Sequence, residues 1–266
     1  MLVFIGLGLT PKHLTLEALE YINRVDKVVV DTYTSIVPGL DHEFLRDIVG
    51  DKELVLAKRS DLEGRGIKRI VEEALKKNIA ILVPGDPFIA TTHDAIRVEA
   101  IRRGVNVVVV NGLSIYSLVP SRTGLQAYRF GKTVTLVYPE VFKPYSVVEA
   151  VYDNLSRNLH TLILLDIRAE ENKFMSIPEA IDILLDLDNR SLLREAIGIG
   201  IARLGTSDET IIADKLEKLK HYEYPPPPHS IVVVAKPHPI ELENLKLLCR
   251  LPENLYRKYV SSKHYP

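Results

Sequence analysis

From Leu2 to Val110 the chain alternates short, continuously apolar runs with longer segments whose apolar positions recur every three or four residues. The runs are Leu2–Gly6, Lys27–Asp31, Glu53–Ala57, Ile79–Val83 and Asn106–Val110. Runs of this length, rich in Val, Ile and Leu, read as strands buried on both faces, the habit of parallel sheets covered by helices. The segments between them carry the helix period. LTLEALEYINR follows Thr15 as an N-cap, and Leu40–Val49 comes next. A third helix runs to near Asn78 from the capping-box spacing of Ser60 and Glu63, with Gly64 and Gly66 weakening its first turn, and a fourth covers about Ile89–Arg103. Strand and helix in strict alternation predict βαβ units.

The rhythm breaks most sharply at Val83–His93, VPGDPFIATTH. Two prolines and a glycine within four residues continue neither a strand nor a helix, so they force a rigid turn at the carboxyl end of a strand. In open α/β sheets that end is where ligands bind. The loops after Leu2–Gly6 and Asn106–Val110 fall on the same edge, and each of the three holds a glycine that lets backbone approach a ligand. Asp86 sits at the centre of the turn. An aspartate there serves the turn by bonding its own backbone as readily as it serves a ligand, and its type alone leaves both open.

The segment Pro120–Lys132 ends the alternation and predicts a passage between a first α/β domain, residues 1–120, and a second, residues 121–266. The second half holds strands at Thr133–Tyr138, Thr161–Asp166, Ala196–Ala202 and Ser230–Ala235. It holds helices near Val147–Arg157, from the capping box of Ser176 and Glu179 to about Leu187, and at Pro239–Leu251. Glu209–His221 fits neither period, and Pro225–Pro228 reads as a stiff spacer. Fewer clean strand–helix–strand units here predict a mixed sheet.

Composition narrows the chemistry. The 266 residues are 46% hydrophobic and 26% charged, an ordinary globular balance. A net charge of −1 offers no general footprint for nucleic acid or membrane. No apolar run is long enough to span a bilayer and no basic leader precedes the first strand, so a cytoplasmic protein is expected. The single cysteine, Cys249, lies in LKLLCRL and reads as a buried apolar residue. No CxxC or HExxH occurs, so no metal site is expected. Gly6-x-Gly8 opens like a dinucleotide fingerprint, but its third glycine position holds Pro11 and the helix starts late. With no Walker-type lysine loop either, the chain is built to hold a small ligand without a phosphate grip.

Five stretches together carry a resemblance: IGLGL at the start, PGDPFIATTH, LSIYSLVPSRTGLQAYRFGKT, LHTLILLDIRAEENKFMS and PPPPHSIVVV. In this order and over essentially the whole chain, they resemble the diphthine synthases, a branch of the tetrapyrrole-methylase class (class III) of S-adenosylmethionine-dependent methyltransferases. The first two stretches mark the class; the middle ones mark the branch. The resemblance implies two α/β domains with the cofactor in a cleft between them, a homodimer, and methylation, to the trimethylated product, of the amino group of a modified histidine in translation elongation factor two, a step of diphthamide biosynthesis. S-adenosylhomocysteine is the implied by-product, and no metal is implied. The implied cofactor contacts are Leu9, Asp86, Ile89, Ser114, Ile115, Leu165, Leu204 and His229. At Leu204 the chain departs from the usual small residue, and the proline run before His229 is longer than usual. On residue type alone, most buried Leu and Ile are simply core, and a histidine beside prolines serves a turn.

Transfer of methyl from a sulfonium asks mainly for alignment and exclusion of water. No catalytic residue is assigned; Asp166 and Glu170, near a strand's carboxyl end, are the candidate bases, with turn capping the alternative for Asp166. Two basic clusters, Arg122–Lys143 and Arg257–Lys263, are candidates for docking the protein substrate, against the commoner reading of a solvated surface. A tetrapyrrole acceptor, or a cofactor-binding sensor without chemistry, remain the alternative functions.

Overall fold

The computed structural model describes residues 1–261 and divides the chain into two compact units. The first comprises Met1–Tyr116 with Ile167–Lys173; the second comprises Ser117–Asp166 and the chain from Phe174 on.

The first unit is built on five strands, β1 (Leu2–Gly6), β2 (Lys27–Asp31), β3 (Glu53–Ala57), β4 (Ile79–Val83) and β5 (Val107–Val110). They pair in the order β3-β2-β4-β1-β5, and every pairing is parallel. The central runs β1 and β4 are buried from end to end because both faces are covered. Leu2, Phe4, Val29, Ile79 and Ile81 enter one core, while Val3, Ile5, Val28, Val30, Ala80 and Leu82 enter the other. At roughly 2 kcal/mol for each fully buried aliphatic side chain, these two layers dominate the unit's stability.

Thr15 caps the helix Leu16–Arg24, its hydroxyl accepting from the Ala18 N–H at 3.1 Å, as its position implied. The helix expected from Leu40 starts at His42, because Asp41 takes the N-cap and accepts from Phe44 N at 2.8 Å. The capping box expected at Ser60 and Glu63 does not form. Asp61 instead accepts from Lys58 N at 3.0 Å. A four-residue turn of helix, Arg59–Leu62, then stops at Gly64, whose φ of 55° suits glycine, and a new helix covers Arg65–Ala74. The helix expected from Ile89 begins only at Asp94, since Ala90 takes a φ of 57° in the turn before it.

The second unit holds β6 (Val134–Leu136), β7 (Thr161–Leu165), β10 (Ile197–Ala202), β11 (Thr210–Lys215) and β12 (His229–Val234). The short strands β8 (Ile167–Arg168) and β9 (Lys173–Phe174) form a separate two-stranded ladder. The larger sheet has the order β11-β10-β12-β7-β6; its pairings are antiparallel except β6 with β7. The ambiguous Glu209–His221 resolves into β11 and a 3-10 turn, Leu216–His221. The Ser176–Glu179 capping box forms as expected, with the Glu179 carboxylate accepting from Ser176 N at 2.8 Å. The last expected helix stops short, Pro239–Leu248 ending before Arg250, which has a φ of 58°, and a further helix not expected from the sequence, Glu253–Ser261, follows Pro252.

A buried carboxylate organises the passage into this unit. Glu241, fully buried, accepts from Gln126 N at 2.9 Å and His238 N at 2.7 Å, and pairs with Arg129 and with His160 Nε2 at 3.1 Å. His160 Nδ1 accepts from Ala235 N at 3.1 Å, so the ring proton lies on Nε2 and is donated to Glu241. Burial favours the neutral acid, but these donors outweigh it and hold Glu241 down at about 2. Cys249 is buried as its setting implied, and burial pushes its thiol up to about 12.

Candidate functional site

Parallel pairing of β4, β1 and β5 brings their carboxyl ends side by side, and the three loops leaving them meet there. The meeting is backbone against backbone. Gly8 N donates to Gly85 O at 3.1 Å and Gly85 N to Gly8 O at 2.9 Å. A Cβ on Gly112 would lie 2.2 Å from Gly85 O, and one on Gly6 would lie 2.4 Å from Gly112 N. Only glycine permits that approach, so the three glycine-bearing loops act as one layer.

Five of the eight candidate residues stand on this edge. Leu9 and Ile115 are half-buried, Ile89 is exposed, and Asp86 and Ser114 are buried. Asp86 bridges two of the loops: Oδ1 accepts from Phe88 N at 3.0 Å and Oδ2 from Asn111 Nδ2 at 2.9 Å. Its turn role is therefore realised, and Asn111, which the sequence did not single out, is its partner across the gap. Ser114 Oγ accepts from Tyr116 N at 3.2 Å at the start of the helix Ile115–Thr123. Partly exposed Leu9, Ile89 and Ile115 on the loops of this edge suit an adenosine, as apolar walls for its rings.

The other three candidates share one edge of the second sheet. Leu165 ends β7, His229 begins β12, and Leu204 follows β10, whose Ala202 pairs with His229. Arg203 N donates to Pro228 O at 2.9 Å, tying the last two together. Leu165 and Leu204 are buried. Both His229 nitrogens are occupied: Nδ1 accepts from Ile177 N at 3.3 Å, and Nε2 lies 2.7 Å from Pro225 O, to which it donates. Burial, chiefly, pushes His229 below its ordinary value, in keeping with a neutral ring. A ligand there meets its carbon edge or its main chain.

The two candidate bases lie apart in the chain's organisation. Asp166, in the second unit, is half-buried and accepts from Tyr138 N at 3.3 Å, a bond across to the chain leaving β6. Glu170, in the first, is exposed and accepts from Arg59 N at 3.1 Å. Much of the two basic clusters is neutralised locally: Arg122 pairs with Glu209, Arg129 with Glu241, Lys143 with Asp186 at 2.9 Å and Arg257 with Glu253 at 2.8 Å. Lys263 lies outside the described residues.

A buried pair beside the PGDP loop escaped the sequence reading. His93 Nε2 lies 2.9 Å from Asp31 Oδ2, both side chains fully buried. Asp31 also accepts from Tyr33 N at 3.0 Å, from Thr34 N at 3.1 Å and from the Thr34 hydroxyl. The available signal was KVVVD, because an aspartate closing a fully apolar strand must find a partner.

Among the described residues, no group of His, Cys, Asp and Glu is arranged to hold a metal ion, and no helix is long and apolar enough to cross a membrane.

Residues 1–220 match the family model of the tetrapyrrole (corrin/porphyrin) methylases. The chain is 68% identical, over all of both chains, to a diphthine synthase from Staphylothermus marinus. It is 38% identical to one from Methanocaldococcus jannaschii, covering 94% of this chain and 99% of the relative. A crystal structure of a diphthine synthase superposes with a TM-score of 0.88 at 37% identity, covering 96% of this chain and 98% of the other.

Proposed function

The chain belongs to the tetrapyrrole methylase family, and from that premise we propose that it works as the diphthine synthases do. It is an S-adenosylmethionine-dependent methyltransferase of diphthamide biosynthesis. Its acceptor is the amino group of a modified histidine in elongation factor two, carried to the trimethylated product. The observation that carries this reading is the identity with a diphthine synthase from end to end.

S-adenosylmethionine, when bound, supplies an electrophilic methyl group on a sulfonium that departs as a neutral thioether. The residues present fit it: Gly6, Gly85 and Gly112 draw the three loops into one layer at the edge where the partly exposed Leu9, Ile89 and Ile115 stand. In the reading proposed here, these five first-unit residues, Asp86 and Ser114 included, hold the cofactor. Leu165, Leu204 and the main chain at His229 contribute from the second unit. Asp86 acts chiefly by locking the PGDP loop to Asn111, so the binding edge is set before a ligand arrives. The amine attacks with its lone pair as the carbon–sulfur bond breaks, and the proton it then carries must leave before another transfer. The leaving group develops no negative charge, so the protein's share is alignment and a dry site rather than an oxyanion-type grip. We further propose a cytoplasmic homodimer that binds no nucleic acid.

The direct test combines purified protein, labelled S-adenosylmethionine and elongation factor two carrying the unmethylated precursor, followed by mass spectrometry of the factor. Methyl increments that disappear when the target histidine is replaced are the expected result. Binding of the cofactor with no transfer to the factor would refute the acceptor and turn attention to tetrapyrroles or a sensing role.

A further inference from the structure

Beyond the carboxyl end of β3 lies an open groove of about 680 Å³, lined by Lys58, Arg59, Ser60, Glu63, Gly64 and Glu170. All six belong to the first unit. None is among the residues assigned above to the cofactor. The volume is that of a small-ligand site, and the side chains that line it carry both signs of charge on apolar stems.

Its charges are only partly spent. Glu63 Oε1 accepts from Arg59 at 3.0 Å and from the Thr92 hydroxyl at 2.9 Å, while its Oε2 accepts from no described residue. Glu170 Oε1 accepts from Arg59 N at 3.1 Å, and its Oε2 is likewise unengaged among the described residues. The Lys58 ammonium has no ion-pair partner among the described residues, although two carboxylates line the same groove. Arg59 is held in place by Glu63 and by the face of Tyr33, its guanidinium carbon 4.8 Å from the ring centroid. The groove thus offers a held guanidinium, an ammonium unpaired among the described residues and two partly engaged carboxylates at once. A simple anion would leave the glutamates uncompensated, and a simple cation would leave Lys58 so. The group that satisfies both is a zwitterion carrying an amine and a carboxylate.

We propose that this groove binds an α-amino-acid group, its carboxylate on Lys58 and Arg59 and its amine toward the free oxygens of Glu63 and Glu170. This rests on the methyltransferase reading for its occupant, which is the amine-bearing end of the acceptor side chain. The methionine end of the cofactor has the same chemistry and is the other source to be distinguished.

Lys58→Met removes the ammonium and keeps the stem; Lys58→Arg restores a charge. Glu170→Gln keeps an acceptor for Arg59 N while removing the carboxylate. Each variant is assayed for KM and kcat on the precursor-bearing factor, for S-adenosylhomocysteine affinity by calorimetry, and for weak binding of free L-histidine by ligand line-broadening. One lost charge-assisted contact corresponds to about a tenfold change. The proposal expects KM for the factor to rise about tenfold in Lys58→Met and Glu170→Gln, with recovery in Lys58→Arg and S-adenosylhomocysteine affinity within about twofold of the parent. Loss of S-adenosylhomocysteine affinity with unchanged KM for the factor would assign the groove to the cofactor's methionine end and overturn the acceptor assignment. Unchanged KM, unchanged S-adenosylhomocysteine affinity and unchanged L-histidine binding together would overturn the site altogether. A parent protein that fails to methylate the factor at all refutes the functional reading instead, and the two binding titrations then judge the groove alone.

Discussion

His93 and Asp31 are 62 residues apart in sequence, yet their side chains meet at 2.9 Å with neither exposed to solvent. The contact joins the end of the PGDP turn to the end of β2. Tyr33, edge-on to the His93 ring at 6.4 Å, carries the same order outward to the guanidinium of Arg59. Burial alone would raise the Asp31 carboxyl; hydrogen bonds from His93, Thr34 and Tyr33 overcome it and hold the group below its ordinary 3.8. A depressed acid contributes stability that is fully present above its unfolded value and is lost as pH falls through the folded one. His93→Ala leaves the Asp31 carboxylate short of a donor in a dry setting, at a cost of about 3 kcal/mol. Urea unfolding at neutral pH measures that loss, and Asp31→Asn should also flatten the fall in stability below about pH 4.

Glu241 makes a sharper acid prediction. Held at about 2 against an ordinary 4.5, it stabilises the second unit at neutral pH by on the order of 3 kcal/mol. That contribution is intact above 4.5 and fades as pH drops toward 2. Glu241→Gln keeps the shape, loses the charge opposite Arg129 and orphans part of the network. Its thermal midpoint at pH 7 should fall by several degrees, with a difference from the parent that narrows under acid. A constant difference across the whole pH range would contradict the assignment.

Gly112→Ala addresses the glycine layer. The new methyl would sit 2.2 Å from Gly85 O, and both partners are backbone, so neither can swing aside. Overpacking of this sort costs roughly 1–3 kcal/mol and moves loops. S-adenosylhomocysteine affinity should fall at least about tenfold, more than the loss of stability accounts for. Gly104→Ala is the control: its φ of 77° strains an alanine through the backbone alone, nothing lies within 4 Å and it is away from this edge. It should lose stability while keeping its affinity.

Asp86 separates turn building from ligand contact. Asp86→Asn retains the acceptor for Phe88 N but places one amide or carbonyl choice against Asn111. If the residue acts by locking the loop, the double variant Asp86→Asn with Asn111→Asp restores the bridge with reversed roles. Affinity for S-adenosylhomocysteine should then recover most of about a tenfold loss seen in Asp86→Asn alone. A ligand-contacting carboxylate would not be rescued.

The strands of the first sheet were legible because each is a short, mainly apolar run, so run length alone marked them. Helix starts were less so. Ala90 and Gly64 adopt positive φ values inside segments whose periodicity looked continuous, and a backbone reversal leaves no trace in hydrophobic spacing. The loops of the candidate edge could be read from glycine and proline, which act locally. Asp31 with His93, and Glu241 with His160, could not: their partners are chosen by which strand lies beside which, and pairing order is not written in any one segment. For the same reason the commitment of both His229 ring nitrogens, to Ile177 and Pro225, was not legible in the sequence.

The short ladder of β8 and β9 bears on how the chain is made. Residues Ile167–Lys173 count with the first unit although they are synthesised after the second unit's first segment, Ser117–Asp166. A nascent chain that has released only its first 116 residues therefore lacks Glu170, the acceptor for Arg59 N, and one wall of the polar groove. Completion of the first unit waits on translation of part of the second. A truncation placed at the obvious break in the sequence pattern yields a fragment missing one of its own pieces, and the protein is better cut, swapped or fused at its termini than at its apparent middle.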